Sequence, residues 1–297
     1  MPLPHYLLAF AVALTWGLNY VAIGLGLHGI PPMLLAVFRM VLSAVPLVLL
    51  RPRPRLPWRL LAAYAFCNYV VQFAFLFGGI KAGLPAGTAS MVMQMHVFLT
   101  MGLALAFRGE RPRALQWLGA AIGFAGVAVV GLHMASRSSL LGFGLGFVAM
   151  VGWALGNDLA RRIGPVDLIA LVAWSSLLAA PVLLGAALVL EGPGALLPAA
   201  RNLFTWTGIG PLLYQAYGAN LFGFWAWSRL LRRHPAAVVA PWTMLVPVVS
   251  MVGGALFLGE PLTGWKVLAA ALVMAGLGLN QVAGLGFGLA GPARAAK

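Results

Sequence analysis

The side chains able to do chemistry in this 297-residue chain are few, most are neutral, and they interrupt long apolar stretches. In order along the chain they are Trp16 and Asn19, then Tyr64, Asn68 and Gln72, then Met93, Gln94 and His96. Trp153 and Asn157 follow, then Tyr214, Gln215, Tyr217 and Asn220, and finally Trp242 and Thr243. Amides and hydroxyls supply donors and acceptors while aromatic faces supply stacking, a combination that can hold both ends and the side chain of a zwitterion. For any single Asn or Gln the competing role is an interhelical hydrogen bond, and for the aromatic rings it is packing or an interfacial belt. Taken together the set favours a shared cavity. Trp16, Asn19, Tyr64, Asn68, Gln72, Met93, Gln94, His96, Trp153, Asn157, Tyr214, Tyr217 and Trp242 are the expected substrate-binding residues. Tyr64, Asn68 and Gln72, spaced at i, i+4 and i+8, are expected on one helix face.

Charge adds three candidates. Arg39 is the one cation well inside an apolar stretch, suited either to a substrate carboxylate or to helix-end carbonyls and snorkelling. His96 is the one deeply placed group able to titrate near neutrality, so it is the candidate for proton coupling. Asp158 stands beside Arg161 and Arg162, where a salt bridge is favoured over a proton relay. No Asp or Glu falls at mid-segment, which removes the usual carboxylate route of proton-coupled pumps. The single Cys67 excludes a disulfide framework, and there is no HExxH, no Walker glycine loop with its Lys and no Cys/His cluster of metal spacing. An enzyme, a metal and a cofactor are therefore not expected.

These residues need elements to position them, and composition names the solvent those elements live in. The chain is 62% apolar and 8% charged with a mean hydropathy of +0.96. A soluble domain carries about 25% charged residues, so a water-soluble fold is excluded. The net charge of +14 does not indicate nucleic acid, because the basic residues punctuate apolar segments rather than gather on one element. Cutting at charge, Pro and Gly clusters gives ten spans near 5–28, 32–50, 58–80, 84–107, 113–132, 140–160, 165–189, 204–228, 235–258 and 263–284. Each approaches the roughly 20 residues a membrane helix needs. Sorting the loops alternately leaves Lys81, Arg137, Arg201 and Lys266 on one side, Arg39 inside a span and the rest of the 19 Lys and Arg on the other. By the positive-inside rule both termini are expected in the cytoplasm.

The second half echoes the first. At an offset of 150 residues Pro85 meets Pro235, Met101 meets Met251, Phe107 meets Phe257, Gly109-Glu110 meets Gly259-Glu260 and Tyr64 meets Tyr214. An offset of 135 pairs Pro46 with Pro181. An odd number of helices per copy inverts the second copy, placing Glu110 inside and Glu260 outside. The expected fold is an all-α multi-pass membrane protein of ten helices in two inverted-topology five-helix repeats, residues 1–136 and 137–284, with a short cytoplasmic tail at 285–297. That architecture is usual in carriers, with the site near midplane at the repeat interface. Pro46, Pro181, Pro211 and Pro247 fall inside spans as candidate hinges or static kinks.

Trp16-Gly17-Leu18-Asn19, Pro31-Pro32 running to Arg39, Gln72-Phe73-Ala74-Phe75-Leu76-Phe77, Pro85-Ala86-Gly87 with Ala89-Ser90, Gly109-Glu110-Arg111 and Leu245-Val246-Pro247-Val248-Val249 carry a resemblance. In that order and spacing, to about residue 283, the chain resembles the EamA-type amino-acid metabolite exporters of the drug/metabolite transporter superfamily. The resemblance implies ten helices in two inverted repeats and export of amino acids and related metabolites across a bacterial plasma membrane. His96 stands where the resemblance leads one to expect the Gln of cysteine-metabolite exporters, and the aromatic set leaves room for aromatic or other neutral side chains. The expected mechanism is facilitated alternating access. Its alternatives are a multidrug or organic-cation exporter, which would want a buried anion, and a His96-linked proton antiporter. The expected partners are the small-molecule substrate and the lipid bilayer, and a monomer is compatible with the sequence.

Overall fold

The computed structural model describes residues 1–108, 112–133, 137–164, 166–234 and 239–285. Glu110, Gly109, Arg111, Pro235 and the tail beyond 285, all used in the sequence reading, lie outside these residues. Every regular element among the described residues is helical, the solution a lipid solvent imposes on a single unpaired segment, whose backbone polar groups must bond within it. Among the described residues seven helices are long and apolar enough to cross a membrane: Leu3–Gly26, Trp58–Lys81, Ala86–Phe107, Ala114–Leu132, Leu140–Ile163, Leu168–Leu190 and Gly264–Ala283. Two shorter apolar helices, Pro32–Val48 and Trp242–Leu258, lie between them, as does a continuous helical run from Trp206 to Arg233.

Several of these elements depart from uniform α-helix. The third segment runs α over Trp58–Ala65, π over Phe66–Val71 and α again over Gln72–Lys81. The Trp206–Leu213 helix likewise passes through a π stretch at Tyr214–Phe222 before Gly223–Arg233. The segment expected as one span over 84–107 is broken at Met95 into Ala86–Gln94 and His96–Arg108. A short helix, Leu196–Leu203, occupies part of the stretch expected as a loop. Its eight residues could not span a bilayer, and it packs beside Trp206–Leu213.

Prolines open helices where their missing N–H costs nothing, with Pro32 at the first turn of one and Pro85 just ahead of another. Pro247 proves to be of this kind, lying in the first turn of Leu245–Leu258 after a 3-10 turn at Ala240–Met244. Pro46 and Pro181 are truly interior, and Pro211 lies inside Trp206–Leu213, in the last turn before the π stretch.

Packing uses glycine where backbones must touch. Ala114–Leu132 lies along Gly264–Leu285, and a Cβ at Gly119 would sit 2.6 Å from the carbonyl oxygen of Gly276. Pro32–Val48 pairs with Leu168–Leu190, Leu3–Gly26 with Leu245–Leu258, and Gln72–Lys81 with Arg137–Ile163.

Candidate functional site

The helices enclose a cavity of about 700 Å³. At one end it is lined by Pro112, Gln116, Arg161, Trp227, Asn280 and Gln281, which sit near helix ends on the arginine-rich face. Its far end reaches Arg39, Tyr20, Gln72 and Asn220.

Two aromatic walls flank it. On one, the His96 ring stacks on Trp153, centroids 3.9 Å apart and 11° from parallel. The break at Met95 makes this possible, because His96 starts a new helix and its Nδ1 donates to the Met93 carbonyl at 2.8 Å. A carbonyl only accepts, so Nδ1 carries the proton. On the other wall Trp16 donates its indole N–H to the Ala219 carbonyl at 3.0 Å and meets Phe224 and Trp227 at 5.8 and 5.4 Å. Gly223 admits that indole, since any Cβ there would collide with Trp16 Nε1.

Polar groups fill the space between. Gln94 donates to the Thr243 carbonyl at 3.0 Å, and Gln116 donates to Asn280 Oδ1 at 3.0 Å. Arg39, 2% exposed, donates from Nη2 to Asn220 Oδ1 at 2.6 Å and lies 4.1 Å from the Phe73 ring centroid. Asn220 in turn donates to Ser43 Oγ at 3.0 Å. No Asp or Glu lines the cavity among the described residues.

Of the expected binding residues, Trp16, Asn19, Gln72, Gln94, His96, Trp153 and Asn157 line this cavity. Six others do not. Met93 is fully buried in the apolar core. Asn68 donates to Tyr64 Oη at 3.2 Å and fills the gap left by Gly156, where a Cβ would come within 2.6 Å of its Oδ1. The π turn at Phe66–Val71 explains the split, because its wider turn breaks the 3.6-residue register that would align Asn68 with Gln72. Tyr214 donates to the Thr15 carbonyl at 2.9 Å, and Tyr217 points outward, 37% exposed. Trp242 packs with Tyr6 and the small cluster around Ala9 and Leu230. Tyr20, Phe73, Gln116, Phe224, Trp227 and Asn280 line the cavity without having been expected there. Gln116 and Asn280 were legible as polar residues near span ends, whereas nothing in the spacing separates Phe224 or Trp227 from packing aromatics. Asp158 pairs with Arg162 at 3.0 Å, in keeping with the salt bridge expected of it.

On the arginine-poor face two glutamates tie helices together. Glu191 accepts from the backbone N–H groups of Met33 and Leu34 at 2.6 and 3.1 Å, capping the Pro32–Val48 helix. Glu260 does the same for Ala86–Gln94, accepting from Ala86 and Gly87 at 2.6 and 3.2 Å. Each glutamate adjoins a left-handed glycine, Gly192 at φ +80° and Gly259 at φ +66°, that turns the chain out of the preceding helix. A carboxylate facing a helix N-terminus satisfies orphan donors and complements the dipole.

Sequence comparison matches the EamA-like transporter family over residues 3–132 and again over 140–282. The chain belongs to the EamA-like transporter family. It is 40% identical over 285 residues to a probable amino-acid metabolite efflux pump of Salmonella typhimurium, covering 92% of this chain and 93% of that one. It is 38% identical over 283 residues to the protein of the same description in Escherichia coli, with the same coverage. An uncharacterized transporter of Bacillus subtilis is 26% identical over 282 residues, 91% of this chain and 94% of its own. A solved crystal structure matches with a TM-score of 0.62 and 20% identity, covering 94% of this chain and 97% of that one, a likeness of fold. The protein is thus a multi-pass membrane transporter.

Proposed function

We propose that the chain exports amino acids and related metabolites from the cytoplasm by facilitated alternating access around this cavity. The observation that carries the reading is the asymmetry of the cavity. It reaches the arginine-rich face, cytoplasmic by the positive-inside rule, while two glutamate clasps close the opposite face. This is the geometry of a carrier loaded from inside. The names of the Salmonella and Escherichia relatives supply the class of cargo. The absence of carboxylates among the described lining residues, together with Arg39 and Arg161, disfavours organic cations, which need an anion to offset their charge.

In this reading ten spans form two inverted repeats, residues 1–136 and 137–284. Three features support it. The π stretches lie at matching positions, since adding the 150-residue offset to 66–71 gives 216–221, inside Tyr214–Phe222. Exchanging the halves carries the second–seventh and fifth–tenth span pairs onto themselves and the first–ninth pair onto the sixth–fourth. The family matches each half separately.

Binding is assigned to Trp16, Asn19, Gln72, Gln94, His96, Trp153 and Asn157. The test is counterflow in proteoliposomes preloaded with unlabelled L-phenylalanine, L-threonine or L-cysteine and probed with the labelled form. The expected result is exchange of at least one, independent of a pH gradient, and cut about tenfold by Trp16→Ala or Gln72→Ala, the effect of about 1.4 kcal/mol of lost binding. No exchange for any of the three refutes amino-acid export. Exchange that requires a pH gradient and is abolished by His96→Gln replaces facilitation with proton antiport.

A further inference from the structure

Arg39 is paired with too little for a charge at its depth. Its side chain is 2% exposed, and one hydrogen bond, from Nη2 to Asn220 Oδ1, serves a group with five N–H donors. Nε and Nη1 are buried without a partner. The groups around it are neutral: the Phe73 ring at 4.1 Å, the Phe77 ring at 6.0 Å, the Asn220–Ser43 chain and the phenols of Tyr69 and Tyr20. No carboxylate among the described residues pairs with it. A desolvated cation costs several kcal/mol unless an anion offsets it, so a guanidinium placed this way calls for a negative charge the protein does not supply. The same cavity holds the complementary vacancy, because Asn19 Oδ1 is a buried acceptor without a donor.

We infer that Arg39 receives the carboxylate of the transported molecule, with Asn19 Oδ1 accepting from its ammonium group, so that the cargo class is the free α-amino acid or another amino-carboxylate. This rests on the export reading above and narrows it. The Asn220–Ser43 chain holds one N–H of Nη2, and the second Nη2 N–H is left to join the unpaired N–H of Nε or of Nη1 in the two-pronged contact an arginine makes with a carboxylate. Phe73 covers one face of the group and keeps it from water. The side chain of the cargo is then free to lie among the aromatic walls, where His96, Trp153 and Trp16 select by stacking and size. One fixed anchor for the common group with a broad aromatic enclosure for the variable one gives a carrier tolerant in side chain and strict in carboxylate.

The test is competition in the same counterflow assay with the full-length protein. The label is whichever of L-phenylalanine, L-threonine and L-cysteine the wild type exchanges best. The competitors are that amino acid, its methyl ester and its decarboxylated amine. For the wild type, the ester and the amine are expected to compete about ten- to a hundredfold more weakly than the amino acid, the size of lost charge-assisted hydrogen bonds. In Arg39→Gln the three competitors converge to within about threefold, because the anchor is gone. Arg39→Lys, which keeps the charge without the planar fork, recovers part of the ratio. A purely structural Arg39 would lower exchange of all competitors together and leave the ratio unmoved, and that result overturns the assignment. So does a wild-type ratio near one, which decides the matter even if Arg39→Gln fails to fold. Absence of exchange for every amino acid by the wild type overturns the export reading instead, and this one with it.

Discussion

Replacing Glu260 with Gln should unlatch the arginine-poor face. Its two oxygens accept from the Ala86 and Gly87 N–H groups at 2.6 and 3.2 Å. The amide keeps one acceptor and turns the other into a donor facing an N–H, so one bond is lost and the remaining one loses its charge. A hydrogen bond to a charged group contributes about 1.5–3 kcal/mol and a neutral one about 0.5–1.5. The closed face is thereby weakened by about 2–3 kcal/mol, some of it through the lost interaction with the helix dipole. At about 1.4 kcal/mol per tenfold, that raises the fraction open on this face about 30- to 150-fold. Ser250 reports the opening, since it is fully buried at this seam and donates to the Ala86 carbonyl at 3.2 Å. In a Cys67→Ala background, Ser250→Cys is labelled by a membrane-impermeant maleimide added from the arginine-poor side. When opening and closing are fast against labelling, the rate tracks the open population. Glu260→Gln should accelerate labelling by the stated factor, and Glu260→Asp should fall between. A rate within about threefold of the parent, with only the melting temperature lowered, would refute the latch and leave Glu260 a static cap.

Two further outcomes follow from the packing. Asn68→Ala should lower thermal stability by about 1–2 kcal/mol, read by tryptophan-fluorescence melting in detergent, while leaving competition ratios in counterflow unchanged. Gln72→Ala should do the reverse, because the π turn sends Asn68 to the seam at Gly156 and Gln72 to the cavity. Gly119→Ala should destabilise by about 1–3 kcal/mol, since the new methyl meets the Gly276 backbone carbonyl at 2.6 Å and neither backbone can turn aside. Gly102→Ala, with nothing within 4 Å of the new Cβ, is the control expected to melt with the parent.

Apolar runs, punctuating arginines and prolines made most of the membrane-crossing segments readable without coordinates. Each is a local consequence of burying about 20 residues in hydrocarbon, and a helix satisfies its backbone wherever it lies. The neutral polar residues were readable as a set for the same reason, since polar groups in lipid need a justification. Seven of the thirteen expected binding residues line the cavity. Tyr64, Asn68, Met93, Tyr214, Tyr217 and Trp242 do not, and no pattern in the sequence marks them apart.

The distinction between the two groups lies in geometry that no local spacing encodes. A π turn arises when one extra residue is accommodated in a helix already held at both ends by its neighbours, and it rotates everything beyond it. So Asn68 and Gln72, four residues apart, serve different purposes. The chain read in order shows Arg39 as a lone cation and Glu191 and Glu260 as acids at span ends. That the two glutamates cap helices 158 and 174 residues away, and that Arg39 reaches across 181 residues to Asn220 with two nitrogens unpaired, depends on how the helices assemble. Composition dictates the solvent and the segments because burial in lipid is a per-residue energy. Partners are chosen by packing, because a hydrogen bond depends on where two distant backbones come to rest.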